Sequence, residues 1–175
     1  SDGANLTIGA SGTWPNASGG GVLNFRLSGG TQNYAETVGT LVLNPGQFTA
    51  NLDRADVGQS SYFRVGAISR NKYSTARFVG SGLGRDSRNQ FIMSGAPGLT
   101  DGVLPWAVVC DDTLAKPYHF ATHNGDGTSI TAFTGETNPG QANWGTGNMN
   151  VRPTADVTLS GNRTITTLTL DDGVD

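Results

Sequence analysis

The sequence predicts an all-β fold, and three observations support that prediction. Short runs of alternating apolar and polar residues recur along the chain, bounded by Gly, Asn, Asp, Ser and Pro. The 175 residues include 26 glycines and only 14% charged residues, which suits turns between strands better than helices. No window of a dozen residues carries the 3.6-residue apolar periodicity of an amphipathic helix. We therefore expect a large β structure with almost no helix.

About a dozen segments have the composition of strands. They are Asn5–Ile8, Val22–Leu27, Thr40–Leu43, Phe48–Leu52, Ser61–Ile68, Ala76–Val79, Gln90–Met93, Val103–Val109, Tyr118–Thr122, Ser129–Phe133, Met149–Arg152, Asp156–Leu159 and Thr164–Leu170. Between two of them lies Asn124–Gly127, with the sequence Asn-Gly-Asp-Gly, which predicts a hairpin or another tight turn.

A nine-residue template occurs twice, at Val38–Gly46 and at Ile165–Gly173. Both copies follow the pattern apolar-x-Thr-Leu-x-Leu-x-x-Gly, which alternates like a half-buried strand and then closes with a turn. The copies begin at positions 38 and 165. Repetition of this kind indicates an array of similar structural units.

Three architectures accommodate so many strands: a two-sheet sandwich, a closed barrel and a solenoid of stacked coils. Leading strands begin near Asn5, Val22, Thr40, Ser61 and Ala76, and a solenoid coil takes roughly 20 residues. This spacing favours a parallel β-solenoid, with a β-sandwich as the alternative. The residues expected to face an apolar interior are Leu6, Ile8, Leu23, Phe25, Leu27, Leu41, Leu43, Phe63 and Val65.

The charge balance argues against two classes of partner. With 11 basic and 14 acidic residues the net charge is −3, so no basic footprint for nucleic acid or an anionic membrane surface is present. No apolar run approaches the length of a membrane-spanning helix, and no membrane contact is expected from this segment.

Cys110 is the single cysteine and no Cys/His spacing matches a zinc site. We interpret Cys110 as a small buried apolar residue and expect no metal or cofactor.

Five side chains are candidates for catalysis by clustered acids and bases. They are Asp111, Asp112, His119, His123 and Asp126, and parallel β-helices use such clusters in glycan-degrading enzymes. The same residues flank predicted turns, where Asp is favoured for backbone reasons alone. Asn124–Gly127 also lacks the further acidic ligands of a calcium loop. We therefore predict that the chain is not an enzyme and has no catalytic residues, and we keep a glycan-degrading β-helix enzyme as the second alternative function.

Four aromatic residues are candidates for stacking on sugars, namely Trp14, Tyr34, Tyr118 and Trp144. Trp144 lies in the most loop-like stretch, Gly135–Gly147, and loops that leave a rigid scaffold often bind ligands. A Trp that covers the end of a β core is the alternative interpretation of Trp144. These residues would serve a carbohydrate-binding adhesin.

A series of sequence blocks runs in a fixed order through most of the chain. The strand Thr37–Gly46 is followed by Val65–Arg70, then by Phe78–Gly84 with its Phe-x-Gly-x-Gly-Leu-Gly pattern, and then by the Trp106-Ala107 segment. The blocks His119–Thr122 and Ile130–Thr134 complete the series. The same order is found in the autotransporter-associated β-strand repeat proteins, which the chain resembles over about 37–172.

The resemblance implies a right-handed parallel β-helix within a long, exported bacterial surface protein whose role is structural or adhesive. It implies an extracellular or cell-surface location and supplies no catalytic residue. We expect residues 1–36 to be the end of a preceding repeat or first coils, 37–134 a β-solenoid module, 135–147 a loop and 148–175 the start of the next repeat. Because stacked coils leave open strand edges, we expect end-to-end assembly with copies of itself or with neighbouring repeats, with surface glycans as further partners.

Overall fold

The computed structural model describes residues 3–9, 19–26, 32–54, 58–139, 143–145 and 149–171. The strands are β1 (Leu6–Ile8), β2 (Gly21–Arg26), β3 (Tyr34–Leu43), β4 (Gly46–Asp53), β5 (Ser61–Arg70), β6 (Ser74–Val79), β7 (Asn89–Gly95), β8 (Leu104–Cys110), β9 (Tyr118–Thr122), β10 (Thr128–Ser129), β11 (Thr131–Ala132), β12 (Asn150–Val151) and β13 (Thr167–Leu168). No α-helix occurs in these ranges, and the all-β prediction is confirmed. The strand predicted at Asp156–Leu159 is wrong, because that segment has no ladder partner among the described residues.

The chain passes back and forth between two large sheets. The first sheet has the order β1-β3-β5-β7-β10 and the second has the order β11-β9-β8-β6-β4-β2, while β12 and β13 form a small third sheet. Neighbours from β1 to β7 and from β2 to β8 pair in parallel. Three pairings are antiparallel, β7 with β10, β8 with β9, and β9 with β11. Both large sheets are therefore mixed.

Paired strands lie further apart in sequence than predicted. Tyr34 pairs with Ser61, 27 positions on, and Ser61 pairs with Asn89, 28 positions on. The second sheet has the same spacing, since Gly46 pairs with Ser74. The shorter predicted spacing was wrong because the strand starts on which it was based belong to both sheets.

The core lies between the two large sheets and is built from alternate residues of each strand. Leu41, Leu43, Phe63 and Val65 are fully buried, as predicted. Leu6, Ile8, Leu23 and Phe25 are half-buried against the same core, and Leu27 lies outside the described residues. Phenylalanine rings contact one another through the core in the sequence Phe25, Phe63, Phe91, Phe78 and Phe48. These contacts link the two sheets.

Asparagine side chains bond to one another across neighbouring strands. Asn71 Nδ2 donates to Asn44 Oδ1 at 2.7 Å, and Asn51 Nδ2 donates to Asn24 Oδ1 at 2.8 Å. Each pair is 27 positions apart. Val38-Gly39-Thr40-Leu41 likewise faces Val65-Gly66-Ala67-Ile68. The likeness of these two tetrapeptides, 27 positions apart, is visible in the sequence. Repetition was predicted only from the two distant template copies.

Glycine is required where the first template copy turns. Gly46 has φ 123, and a Cβ at this position would lie 1.5 Å from the carbonyl oxygen of Gly19. Only a residue without a side chain can occupy such a position. The close approach lets β4 start beside β2, and Phe48 and Leu52 of β4 are buried in the same core as Leu41 and Leu43 of β3.

Antiparallel strands close one edge of each large sheet. The Asn124–Gly127 segment forms the predicted tight turn, with φ values of 109 at Gly125 and 73 at Gly127. It is not a hairpin, because β9 before it and β10 after it belong to different sheets. Among the described residues, no helix is long and apolar enough to cross a membrane.

Candidate functional site

Five charged or titratable side chains meet beside β9 and form what we call the charged cluster: Lys116, His119, Glu136, Arg152 and Asp171. Lys116 precedes β9, and the alternation of β9 turns His119 inward. Arg152 follows β12 directly, and Asp171 lies beyond β13. The cluster thus joins four segments that are distant in sequence.

The firmest contact of the cluster is between Arg152 and Asp171. Arg152 Nη2 lies 2.6 Å from Asp171 Oδ1, and Arg152 Nε lies 3.0 Å and 3.1 Å from the two carboxylate oxygens. Lys116 Nζ contacts Asp171 Oδ2. The hydrogen bonds from Arg152, followed by that from Lys116, lower the pKa of Asp171 from 3.8 to about 2 despite partial burial.

His119 is 8% exposed and is held on every polar side. Its Nδ1 lies 3.0 Å from Glu136 Oε1, and its Nε2 lies 2.8 Å from the Lys116 carbonyl oxygen. Arg152 Nη1 lies 2.9 Å from Nδ1 and 3.2 Å from Nε2. The same guanidinium is 3.8 Å from Glu136 Oε1, so both carboxylates of the cluster have a cationic partner.

The cluster borders a cleft of about 340 Å³. Its other lining residues are Leu114, Ala115, Thr134, Asn138 and Thr154. A carboxylate in contact with an imidazole can exchange a proton, as general acid–base catalysis requires. However, no hydroxyl or thiol among the described residues contacts His119. The arrangement is better suited to holding the segments of Glu136, Arg152 and Asp171 against β9 of the second sheet than to activating a nucleophile.

The structure does not bring the five sequence-predicted acid and base candidates together. Asp111 Oδ1 accepts hydrogen bonds from Gly82 N and from Thr113 N and Oγ1. Asp112 accepts a hydrogen bond from Ser81 Oγ at 2.6 Å. These two carboxylates fix turns, as the alternative interpretation proposed.

His123 and Asp126 each have hydrogen-bond partners of their own, and neither is hydrogen-bonded to His119. His123 Nε2 lies 2.7 Å from the Pro97 carbonyl oxygen, and its Nδ1 accepts a hydrogen bond from Gly125 N. Asp126 Oδ1 accepts a hydrogen bond from Ala96 N at 2.7 Å. Among the described residues, no group of three His, Cys, Asp or Glu side chains is placed to hold a metal ion.

The four stacking candidates have different surroundings. Tyr34 is 43% exposed and Tyr118 is 54% exposed, with the Arg77 guanidinium 5.7 Å from the ring of Tyr118. Trp144 is buried, and its Nε1 donates to the Pro139 carbonyl oxygen at 3.0 Å. The burial of Trp144 does not fit a ring that stacks on sugars and agrees with the alternative interpretation of a buried Trp, whereas Trp14 lies outside the described residues.

Tyr118 lies at an apolar groove on the outer side of β9, which we call the outer groove. Its lining includes Val108, Phe120, Leu168 and Leu170.

Cys110 pairs with Tyr118 across the β8–β9 ladder and is half-buried. The interpretation of Cys110 as a buried residue was wrong, because strand alternation buries Val109 and turns Cys110 outward.

Sequence reasoning missed Lys116, Glu136, Arg152 and Asp171, which form the charged cluster together with His119. One sequence signal was present, since Arg152 is the only lysine or arginine between positions 117 and 162. This signal is weak by itself, because only the structure shows that Arg152 is buried, and arginine is rarely buried without a partner. No family model, no curated protein and no solved structure matches the chain.

Proposed function

We propose that the chain is a structural or adhesive segment of a long extracellular bacterial repeat protein, built as a parallel right-handed β-solenoid. The observation that carries the proposal is the recurrence of parallel partners 27 or 28 positions apart along β3, β5 and β7 and along β2, β4 and β6, with 31 positions between β6 and β8 and 35 between β1 and β3. Like residues lie side by side at this spacing, as the Asn44 and Asn71 side chains do. Successive layers that bury one another's apolar faces are the basis of a solenoid.

The charged cluster supports a structural role. Its cations and carboxylates neutralise each other within the cluster, which leaves its charge engaged in holding segments of the chain together. The sequence blocks that resemble autotransporter-associated repeats favour the same function and an exported location. We propose no catalytic activity.

Sedimentation velocity over a wide range of protein concentration, combined with negative-stain electron microscopy, tests this proposal. We expect species larger than the 18.1 kDa monomer to grow with concentration and to appear as linear assemblies, because stacked β layers expose strand edges. A monomer at every concentration would contradict self-association.

A carbohydrate-binding adhesin is the second candidate, and it is favoured by the exposed ring of Tyr118 beside the outer groove. Aromatic rings at such positions stack on the apolar faces of sugars. A glycan array should then show binding that Tyr118→Ala abolishes. Tyr73→Ala is the matched control, since Tyr73 is 53% exposed but does not line the outer groove. Equal binding by both variants, or no binding by the parent chain, would rule out this candidate.

A further inference from the structure

The second template copy presents two leucines to solvent beside an open strand edge. Leu168 is 41% exposed and Leu170 is 53% exposed. Within the described residues β13 has a single neighbour, β12, and Thr169 N donates to the Val151 carbonyl oxygen at 2.9 Å. Successive peptide groups of a strand point to opposite edges. The N–H groups of Leu168 and Leu170 therefore face the edge away from β12.

The opposite end of the molecule has a matching open edge. Within the described residues β1 is the outermost strand of the first sheet, with β3 as its one neighbour. Its sequence is Leu6-Thr7-Ile8, and Leu6 pairs with Leu41 while Ile8 pairs with Leu43. Both apolar β1 side chains are only half-buried, whereas Leu41 and Leu43 in the next layer are fully buried. The described part of the chain therefore covers the apolar surface at β1 incompletely.

We infer that β13 of one molecule adds as a parallel strand to β1 of a second molecule, in what we call the head-to-tail contact. Leu168 would then lie opposite Leu6, Thr169 opposite Thr7, and Leu170 opposite Ile8. This register extends the apolar row that already runs from Leu6 to Leu41 in the first sheet. The sequences Leu-Thr-Leu and Leu-Thr-Ile place apolar residues on one face and threonine on the other in both strands.

The outer edges of β7 and β9 are less suited to growth, because they are partly occupied by the antiparallel strands β10 and β11, each two residues long. Within the described residues β2 is likewise the outermost strand of the second sheet, but its sequence lacks the Leu-Thr-Ile pattern that matches β13. The head-to-tail contact joins two different surfaces, and such a contact generates open filaments unless its rotation closes a ring. This inference rests on the proposed function and names the surfaces through which the molecules would assemble.

The first experiment compares L168D/L170D with Leu159→Asp by sedimentation velocity. Leu159 is also exposed but lies outside any strand; its substitution controls for one added charge, and the double variant L99D/L159D, at a second exposed leucine outside any strand, controls for two. We expect the association constant to fall by about tenfold or more for L168D/L170D, because two apolar side chains lose their burial. The Leu159→Asp control should associate like the parent chain. Equal association by both variants would overturn the inference.

The second experiment detects the register directly by disulfide trapping. In a Cys110→Ser background, Thr7→Cys and Thr169→Cys are made in separate molecules, then mixed and oxidised. Cysteines opposite each other on neighbouring strands fall within the Cα separation that a disulfide allows. We expect covalent dimers in the mixture and not in either variant alone. Circular dichroism of each variant verifies that it is folded.

The outcomes separate this inference from the proposed function. If the parent chain and the leucine variants assemble equally and no mixed disulfide forms, the head-to-tail contact is rejected. Self-association of the parent chain would still stand in that case. A parent chain that stays monomeric would reject both. Disulfides in Thr7→Cys alone would indicate a symmetric dimer through β1 and would also reject the contact.

Discussion

The two copies of the template have the same alternation but opposite orientations. In the first copy Leu41 and Leu43 are buried at 0% and 1% exposure. In the second copy the equivalent Leu168 and Leu170 are exposed, whereas Thr167 is buried and its Oγ1 donates to Asn150 Oδ1 at 2.7 Å. A shift of one residue moves every side chain of a strand to the other face. Alternation therefore determines which residues share a face, but not which face is covered.

The template copies also end differently. At the equivalent position the first copy has Asn44 and the second has Asp171. Asn44 Nδ2 donates to the Gly9 carbonyl oxygen while its Oδ1 accepts from Asn71. Asp171 only accepts, from Arg152 and Lys116. The same template position therefore holds an asparagine that bonds to another asparagine in the first copy, and an aspartate that forms an ion pair with another segment in the second copy.

The largest difference is expected between Leu41→Ala and Leu168→Ala. Leu41→Ala should lower the free energy of unfolding by about 3 to 5 kcal/mol, because it opens a cavity in the core. Leu168→Ala should lower it by less than about 1 kcal/mol, since much of that side chain already meets water. Urea denaturation of the two variants measures both effects. Equal losses would show that the second copy is buried as the first one is.

A smaller effect is expected from the acid titration of Asp171. Because its pKa falls from 3.8 to about 2 on folding, ionised Asp171 stabilises the fold fully above pH 3.8, and this contribution is lost as the pH falls to about 2. The contribution corresponds to about 2 kcal/mol. Asp171→Asn should therefore lower the melting temperature at pH 7 and flatten its decline between pH 4 and 2. An unchanged decline would show that other carboxylates carry the acid sensitivity.

The smallest effect on stability is expected from Asn44→Asp, which gives the first template copy the residue type that the second copy has at Asp171. Asn44→Asp removes the donor to Gly9 and should cost about 1 kcal/mol at pH 7. Asn51→Asp is the matched control, since Asn51 also donates to an asparagine but at an exposed site where water can replace the bond. Thermal unfolding of both variants measures the difference. A greater loss of melting temperature for Asn51→Asp than for Asn44→Asp would show that the buried hydrogen bond of Asn44 is not the more important one.

Most strands and much of the core followed from the sequence because alternation is a local signal. The strands near Val22, Ser61 and Tyr118 lie within a residue or two of their predicted limits. The charged cluster did not follow, because its members lie up to 55 positions apart and meet only through the packing of separate segments. For Trp144 the sequence left both an exposed and a buried ring open, and the structure shows it buried.

The sequence by itself determined that the chain is all-β, that leucine and threonine lie on opposite faces of the template strands, and where the tight turn at Asn124–Gly127 lies. These properties depend on backbone preferences and on the two-residue period of a strand. Only the tertiary structure decided which strands pair, that one edge of each large sheet is antiparallel, and that the second template copy faces outward. Such features depend on which strands become neighbours, since burial is a property of the surroundings and not of the strand alone.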